Sequence, residues 1–177
     1  MNNEGGEPQL DIERIVRVFA LRNVDYLLIG GVATRLYGAQ RLTYDLDVVA
    51  SREPDNLDRV ADALRELGAF LRVGGLDDET ARALPVILDG RALAAMEIST
   101  WRTDAGDVDV LAYLRDRSGR HVDFTDLDHR ASATHIGDVA VRVAGLDDII
   151  ASKQFANRDK DRDALPELES LRDSDDS

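Results

Sequence analysis

The ten residues from Arg41 to Ala50, RLTYDLDVVA, constrain the fold more than any other stretch of this sequence. Polar residues stand at positions 41, 43, 45 and 47, and apolar residues stand at 42, 44, 46 and 48. An alternation with a period of two is typical of a β-strand with one buried face. The polar face carries Asp45 and Asp47, whose like charges repel at this spacing. The pattern therefore predicts a sheet strand that bears a charged site.

The preceding segment, LLIGGVATRLYG, predicts a buried strand, a glycine turn and a short helix that ends at Gly38. Backbone N–H groups at the start of a helix are unpaired, and glycine lets an anion approach them closely. Gly30 and Gly31 are thus candidates for a phosphate cradle. The commoner reason for such a pair is a tight turn that needs glycine for positive φ.

The rest of the chain mixes helical and strand patterns. Helices are predicted in DIERIVRVFALRN, EPDNLDRVADALRELG, GGLDDETARAL, LDDIIASKQFA and DRDALPELESL, and strands in AAMEISTW, GDVDVLAYL, HVDFTDL and DVAVRVA. Asp55 or Asn56 is the predicted cap of the second helix. This order predicts an α/β (α+β) fold, in which a mixed sheet is flanked by helices and a helical element closes the chain.

The length of 177 residues predicts one domain. We expect a disordered lead over residues 1–10, a single domain over 11–172 and an acidic tail over 173–177. The N-terminus is polar and acidic, unlike a signal peptide, and the longest apolar runs are far too short to span a membrane.

The chain has no cysteine, which excludes disulfides and thiolate metal sites and fits a cytoplasmic location. Its formal net charge of −13 disfavours nonspecific binding to nucleic acid backbones. A local basic patch remains compatible with that total.

Asp45 and Asp47 are candidates for binding a divalent cation, because a cation between them would relieve their repulsion. Hard carboxylate oxygens suit Mg²⁺ or Mn²⁺. Taken alone, two aspartates at this spacing are more often a solvated strand edge. An EF-hand is excluded, because the loop glycine and the terminal ligand are missing.

A second acidic strand, GDVDVLAYL, places Asp107 and Asp109 on one face. If it lies beside the first strand, a third carboxylate joins the pair. Three carboxylates can hold two metal ions about 3.5–4 Å apart, which suits phosphoryl transfer. We favour Asp109, which lies deeper in the strand, and keep Asp107 as the alternative.

Lys153 stands where the apolar stripe of its helix would continue, seven residues after Leu146 and beyond Ile149 and Ile150. Such a lysine commonly lies along the edge of a core, with its charge in water. Beside a carboxylate cluster it could instead contact phosphates in a cleft. Lys160 and Asp161 could reach the same cleft, with weaker support.

Other chemistries lack their motifs. The sequence contains no G-x-S-x-G elbow and no thiol nucleophile. The spacing of His121, His129 and His135 matches no helical zinc motif.

Taken in order, these residues resemble the nucleotidyltransferase superfamily with the DNA polymerase β type of fold. The resemblance covers roughly residues 25–170 and lies in these positions: Gly30-Gly31, Ala33, Gly38, Arg41-x-Thr43-x-Asp45-x-Asp47, Asp109 and Lys153. The segment GLDDIIASKQFANRDKDRDALPELE resembles the bacterial stand-alone branch that includes the AbiEii-type toxins. Many members have Gly-Ser at the start of the helix, whereas Val32 and Ala33 follow Gly31 here, so a hydroxyl contact to phosphate is missing.

The resemblance implies that Asp45, Asp47 and Asp109 bind Mg²⁺ or Mn²⁺ and carry out catalysis. It implies nucleotide binding by five residues: Gly30, Gly31, Arg41, Thr43 and Lys153. The implied reaction transfers a nucleoside monophosphate from NTP to an acceptor hydroxyl and releases pyrophosphate.

The acceptor expected from the resemblance is an RNA 3′ end or a protein, with a small molecule as a further choice. The implied biological role is that of a toxin in a toxin–antitoxin or phage-defence system, with a cognate antitoxin as partner. The alternative is a catalytically inactive nucleotide- or metal-binding protein of the same fold.

Overall fold

The computed structural model describes residues 9–175; residues 1–8 of the predicted lead over 1–10 and residues 176–177 of the predicted tail lie outside the described residues. The helices are α1 (Ile12–Leu21), α2 (Gly30–Leu36), α3 (Pro54–Glu66), α4 (Asp78–Arg82), α5 (Gly90–Ala94), α6 (Phe124–Asp128), α7 (Leu146–Ala156) and α8 (Asp159–Asp175). The strands are β1 (Tyr26–Ile29), β2 (Asp45–Ala50), β3 (Phe70–Leu71), β4 (Ile98–Thr103), β5 (Gly106–Leu111), β6 (Tyr113–Arg115), β7 (His121–Asp123), β8 (Ser132–Ile136) and β9 (Val139–Val143).

Seven strands form one mixed sheet in the order β3-β4-β5-β2-β1-β9-β8. Strand β2 lies at its centre, antiparallel to β1 and parallel to β5. Strands β6 and β7 form a separate antiparallel pair. The predicted fold class, a mixed sheet flanked by helices, is confirmed. Among residues 9–175, no helix combines the length and the apolar character that crossing a bilayer requires.

The alternation in β2 gives the sheet two different faces. Leu46 and Val48 are fully buried on one face, where Val108 of β5 lies opposite Leu46. Residues 45 and 47 point to the other face, because successive side chains alternate along a strand. Burial of the first face secures the register, since a slip of one residue would expose the whole apolar set.

The C-terminal helices form a second, smaller apolar cluster. Ile150 of α7 and Leu168 of α8 are buried there with Ala39, which follows α2. Helix α7 also packs against α8, α2 and β6. This packing brings the two closing helices to the end of the sheet where β1 runs into α2.

The predicted strand from Arg41 to Ala50 is wrong in its first half, because β2 begins at Asp45. Leu42 and Tyr44 are 76% and 78% exposed instead of buried. Strand β1 pairs with β2 only as far as Asp47, and β5 pairs only as far as Asp45. Residues 41–44 therefore continue the alternation without a neighbouring strand to pair with.

The predicted cap of α3 is also wrong. The helix begins at Pro54, and its N-cap residue, Glu53, makes no side-chain capping bond. Asn56 is buried, and its amide bonds to the backbone of Asp25 and Ser51. Its side chain is thus used to tie α3 to the turns before β1 and after β2.

Several short elements differ from the sequence patterns. Strands β3 and β8 and helix α5 were not predicted, and HVDFTDL divides into β7 and α6. Helix α2 begins at Gly30 itself, before the predicted start at Val32. Helix α8 continues to Asp175, through residues that the sequence assigns to an acidic tail. Such short or polar elements carry too few residues for a periodic pattern to be visible.

Candidate functional site

The parallel pairing of β2 with β5 brings three carboxylates together. Asp47 lies directly opposite Asp109, and Asp45 precedes Asp47 on the same face. One oxygen from each of Asp45, Asp47 and Asp109 lies within 4.8 Å of the others. All three are partly buried. The structure therefore brings together the three carboxylates that the sequence singled out.

These carboxylates are held at an electrostatic cost. Burial, together with the neighbouring charges of Asp45 and Asp109, raises the pKa of Asp47 from 3.8 to about 7. The pKa of Asp109 is also raised, mainly by burial, although a hydrogen bond from Thr100 opposes the shift. Atom Oδ1 of Asp109 is buried and accepts no hydrogen bond from the part of the chain that the structure describes. Carboxylates in this state favour a cation.

Asp107, the alternative third carboxylate, has a different environment. It accepts hydrogen bonds from Nε of Arg102 at 2.9 Å and from Nη1 of Arg72 at 2.8 Å. Both Asp107 and Arg102 are nearly buried, so this ion pair is shielded from water. Asp107 is therefore already neutralised, and Asp109 completes the cluster.

Gly30 and Gly31 lie at the rim of the cluster and allow a close approach of side chains to the backbone. Gly30 has a φ of +63°, and a Cβ atom there would overlap the Asp47 carboxylate. A Cβ atom at Gly31 would overlap the Thr43 side chain. The backbone of Gly31 lowers the pKa of Asp47, against the effect of burial. Glycine is therefore required at both positions because a larger residue would overlap a side chain of the site. At Gly30 it is also required because the positive φ disfavours other residues.

The opposite wall of the cleft is cationic. Lys153 of α7 and Lys160 of α8 line the cleft, and so does Arg158, which lies between the two helices. The charge of Lys160 lowers the pKa of both Asp47 and Asp109, against the effect of burial. The charges of this wall thus face the carboxylates.

The orientation predicted for α7 is confirmed, because Ile149 and Ile150 are buried. The Lys153 side chain is 20% exposed, and its Nζ lies 3.4 Å from Oδ1 of Asp161. The side chain therefore points into the cleft and is held there by an ion pair.

Arg41 and Thr43 lie on the unpaired segment before β2 and also line the cleft. Arg41 donates a hydrogen bond of 3.0 Å to the carbonyl of Asp163 in α8. The Thr43 hydroxyl shares its proton between the carbonyl oxygen of Asp45 at 3.1 Å and Oδ1 of the same residue at 3.2 Å. All the predicted site residues thus border one cleft.

The cleft has a polar part and an apolar part. The polar part, of about 390 Å³, contains the three carboxylates and the cationic wall. An adjoining pocket of about 110 Å³ shares Gly30 and Asp47 with it and has apolar walls at Ile29, Leu111 and Leu114. The combined shape could take a ligand with one charged end and one apolar end.

The donor set fits a hard divalent cation. It consists of carboxylate oxygens, the ligands that Mg²⁺ and Mn²⁺ prefer. The unpaired Oδ1 of Asp109 and the raised pKa of Asp47 show that the described side chains leave negative charge here uncompensated. Asp45, Asp47 and Asp109 could therefore hold such an ion.

The sequence interpretation missed Arg158. Arg158 bonds through Nε to Asp161 at 2.6 Å and lines both parts of the cleft. The sequence offers one hint of this contact, an arginine three residues before an aspartate at the start of a helix. Many surface helices share that spacing, so it does not identify a site.

Comparison of the whole structure with solved structures identifies proteins of the same fold. The chain is similar to the lincosamide antibiotic adenylyltransferase LnuA, whose structure contains lincomycin, at 16% identity and a TM-score of 0.60, over 92% of this chain and 99% of LnuA. It is similar to ANT(2″)-Ia, solved in complex with adenylyl-2″-tobramycin, at 15% identity and a TM-score of 0.52, over 92% of this chain and 93% of that protein.

A third similar structure is TM1012 from Thermotoga maritima, which carries a provisional assignment as a nucleotidyltransferase. Its identity is 13% and its TM-score 0.51, over 92% of this chain and 88% of TM1012. No family model matches the chain, and no curated protein matches its sequence. The similarity at these identities establishes a common fold.

Proposed function

We propose that this protein is a metal-dependent nucleotidyltransferase that moves a nucleoside monophosphate from an NTP to an acceptor hydroxyl and releases pyrophosphate. The observation that carries the proposal is the convergence of Asp45, Asp47 and Asp109 opposite a wall of cations. A divalent cation with a polyphosphate complements both sides of such a cleft. The fold shared with LnuA and ANT(2″)-Ia supports the same reaction class.

In this proposal Asp45, Asp47 and Asp109 hold Mg²⁺ or Mn²⁺. The bound ion supplies charge neutralisation at the phosphates and orientation of the attacking and leaving oxygens. The Thr43 hydroxyl lies 3.1 Å from the carbonyl oxygen of Asp45 and 3.2 Å from its Oδ1, and so restrains this residue. The backbone of Gly31 packs beside Asp47 and lowers the pKa of its carboxyl. The protein thereby orients its ligands before a nucleotide arrives.

The other predicted residues would contact the nucleotide. Lys153, together with Arg158, lines the same cleft as the cluster and would compensate the charge of the phosphates. Gly30 and Gly31 bring the start of α2 against Asp47 and Thr43 at the rim, where the phosphates would lie, and Arg41 adds a further cation there. The apolar pocket beside Asp47 offers a surface for the nucleoside.

For the acceptor, the resemblance in the sequence favours an RNA 3′ end or a protein hydroxyl, in a toxin that a cognate antitoxin would restrain. A second candidate is a hydroxyl group of a small molecule. It is favoured by the similarity to LnuA and ANT(2″)-Ia, whose structures contain lincomycin and adenylyl-tobramycin. The net charge of −13 also disfavours a long nucleic acid.

The test is a labelling experiment with each of the four α-³²P-labelled NTPs, in Mg²⁺ or Mn²⁺. Three acceptor pools are supplied separately: total cellular RNA, total cellular protein, and a panel of hydroxyl-bearing antibiotics and metabolites. We expect the label to enter one pool with the wild-type protein and to be absent with Asp109→Asn.

The pool that becomes labelled identifies the acceptor class. If no NTP labels any pool with either metal, while the protein binds NTP, the inactive nucleotide-binding alternative is correct. If the protein neither labels a pool nor binds any NTP, the proposed function is wrong.

A further inference from the structure

Asp161 lies in the first turn of α8 and is completely buried, with 0% of its side chain exposed. Its neighbours in the sequence, Lys160 and Arg162, are both exposed. Aspartate is almost never fully buried unless it is paired. The burial of this one carboxylate on a polar helix end therefore has a specific cause.

Asp161 is buried because it pairs with two cations, Lys153 of α7 and Arg158 of the turn between α7 and α8. Oδ2 of Asp161 accepts a bond of 2.6 Å from Nε of Arg158, and Oδ1 accepts one of 3.3 Å from Nη2. The same Oδ1 also lies 3.4 Å from Nζ of Lys153, which belongs to α7. The two cations thus share one carboxylate oxygen, and both line the cleft that contains Asp47.

Two cations this close repel each other, and each has a long, flexible side chain. Without a counter-ion they would gain by separating and by turning toward water. The buried carboxylate offsets their repulsion and restricts their rotamers. The pair is then already ordered when a ligand arrives, which lowers the conformational entropy lost on binding. The charge of Asp47 adds to the attraction on Arg158.

We propose that Asp161 is a positioning residue that holds Lys153 and Arg158 in the cleft as a preorganised pair for the phosphates of the nucleotide. This inference rests on the proposed function, because it assumes that the cleft binds an NTP. Asp161 acts through the two cations that it orients.

A purely structural role is the competing explanation. Oδ2 of Asp161 also lies 3.4 Å from the backbone amide of Arg158, in the arrangement of a helix capping box. A capping role would make Asp161 important for the stability of α8 and leave ligand binding unchanged in a folded variant. The two roles therefore differ in what happens to nucleotide affinity once folding is controlled for.

The experiment measures the affinity of the protein for N-methylanthraniloyl derivatives of the four NTPs in Mg²⁺ by fluorescence titration. The test variant is Asp161→Asn, which keeps the shape of the side chain and removes its charge. The matched control is Asp159→Asn, which removes one negative charge from the same helix end at a side chain that is 92% exposed. Thermal unfolding of each variant verifies that it is folded at the assay temperature.

We expect Asp161→Asn to weaken nucleotide binding about tenfold, the effect of misplacing one charge-assisted hydrogen bond. Asp159→Asn should bind within about twofold of the wild type, because exposed ion pairs contribute little. In a background that carries both Lys153→Ala and Arg158→Ala, Asp161→Asn should have less than about a twofold further effect, because the residues through which it acts are gone.

Wild-type or tighter affinity in the folded Asp161→Asn variant would overturn the proposal. A full tenfold loss in the background without the two cations would also overturn it, because the effect would then not pass through them. If Asp161→Asn does not fold, Asp161→Ser is titrated instead, since it retains a hydrogen-bond acceptor and is read by the same criteria. If the wild type binds none of the four nucleotides, the proposed function itself has failed.

Discussion

Asp107 and Asp109 are two residues apart on the same face of β5, yet their environments differ completely. Asp107 is bonded to Arg102 at 2.9 Å and to Arg72 at 2.8 Å, so its charge is compensated within the protein. Asp109 lies among carboxylates, and its Oδ1 has no hydrogen-bond partner among residues 9–175. The fold thus places guanidinium groups against Asp107, whereas the described residues place none against Asp109.

This difference separates a structural carboxylate from a candidate metal ligand. Arg102 of β4 lies opposite Asp107 in the sheet, and Thr100 occupies the equivalent place opposite Asp109. A threonine hydroxyl can donate one hydrogen bond and carries no charge. The negative charge at Asp109 is therefore available to an added cation, whereas that at Asp107 is not.

The largest expected effect is on catalysis. Asp109→Asn should lower the rate of nucleotidyl transfer at least about a hundredfold, because a metal ion contributes several kcal/mol of transition-state charge stabilisation. Asp107→Asn, compared as a folded protein, should retain activity within about tenfold. Initial rates of labelled-nucleotide transfer give both numbers. A folded Asp107→Asn variant that is less active than Asp109→Asn would reverse the assignment of the two residues.

The next effect is on stability, and we expect it to have opposite signs in the two regions. Asp107→Asn should lower the free energy of unfolding by about 2 kcal/mol, because it removes a charged acceptor from nearly buried Arg102, which keeps its 2.9 Å bond to Asp78. Asp47→Asn, measured with EDTA present, should raise it by about 1 kcal/mol, because it removes one of three repelling charges. Urea unfolding of both variants and the wild type measures the two changes. Destabilisation by Asp47→Asn in EDTA would contradict the view that the cluster is strained.

A smaller effect should follow the addition of metal. A concentration of Mg²⁺ or Mn²⁺ ten times the dissociation constant should stabilise the wild type by about 1.4 kcal/mol, which corresponds to a rise of roughly 3 °C in Tm. Asp109→Asn should lose this rise, and Asp107→Asn should keep it although its baseline Tm is lower. Thermal scans with and without EDTA make the measurement. An equal rise in all three proteins would place the bound metal elsewhere.

The smallest effect concerns Lys160, the exposed cation whose charge acts on both Asp47 and Asp109. In EDTA, Lys160→Ala should lower the free energy of unfolding by about 0.5 kcal/mol, because it removes a partial counter-charge at an exposed site. Lys160→Arg serves as the control and should be neutral. A loss above about 2 kcal/mol, seen by urea unfolding, would mean that Lys160 is a true partner of the cluster, as Arg102 is of Asp107.

Much of the fold was predictable from local patterns. A short apolar run before two glycines located β1, and the alternation of apolar residues located the second half of β2 and β5. The helical stripe oriented α7 so that Lys153 entered the cleft. The patterns failed where no packing partner exists. Leu42 and Tyr44 alternate as a strand would, but no neighbouring strand reaches them.

The sequence by itself determined that Asp45 and Asp47 share one face of a strand, because the period of a strand is a local property of the backbone. It also determined that Asp107 and Asp109 share a face. Only the tertiary structure decided which of these two joins the carboxylate cluster. The decision depends on Arg72 and Arg102, which other strands bring beside Asp107. The tertiary structure also joined Arg158 to Lys153 through Asp161, because this contact depends on how α7 and α8 pack against each other, which no local period encodes.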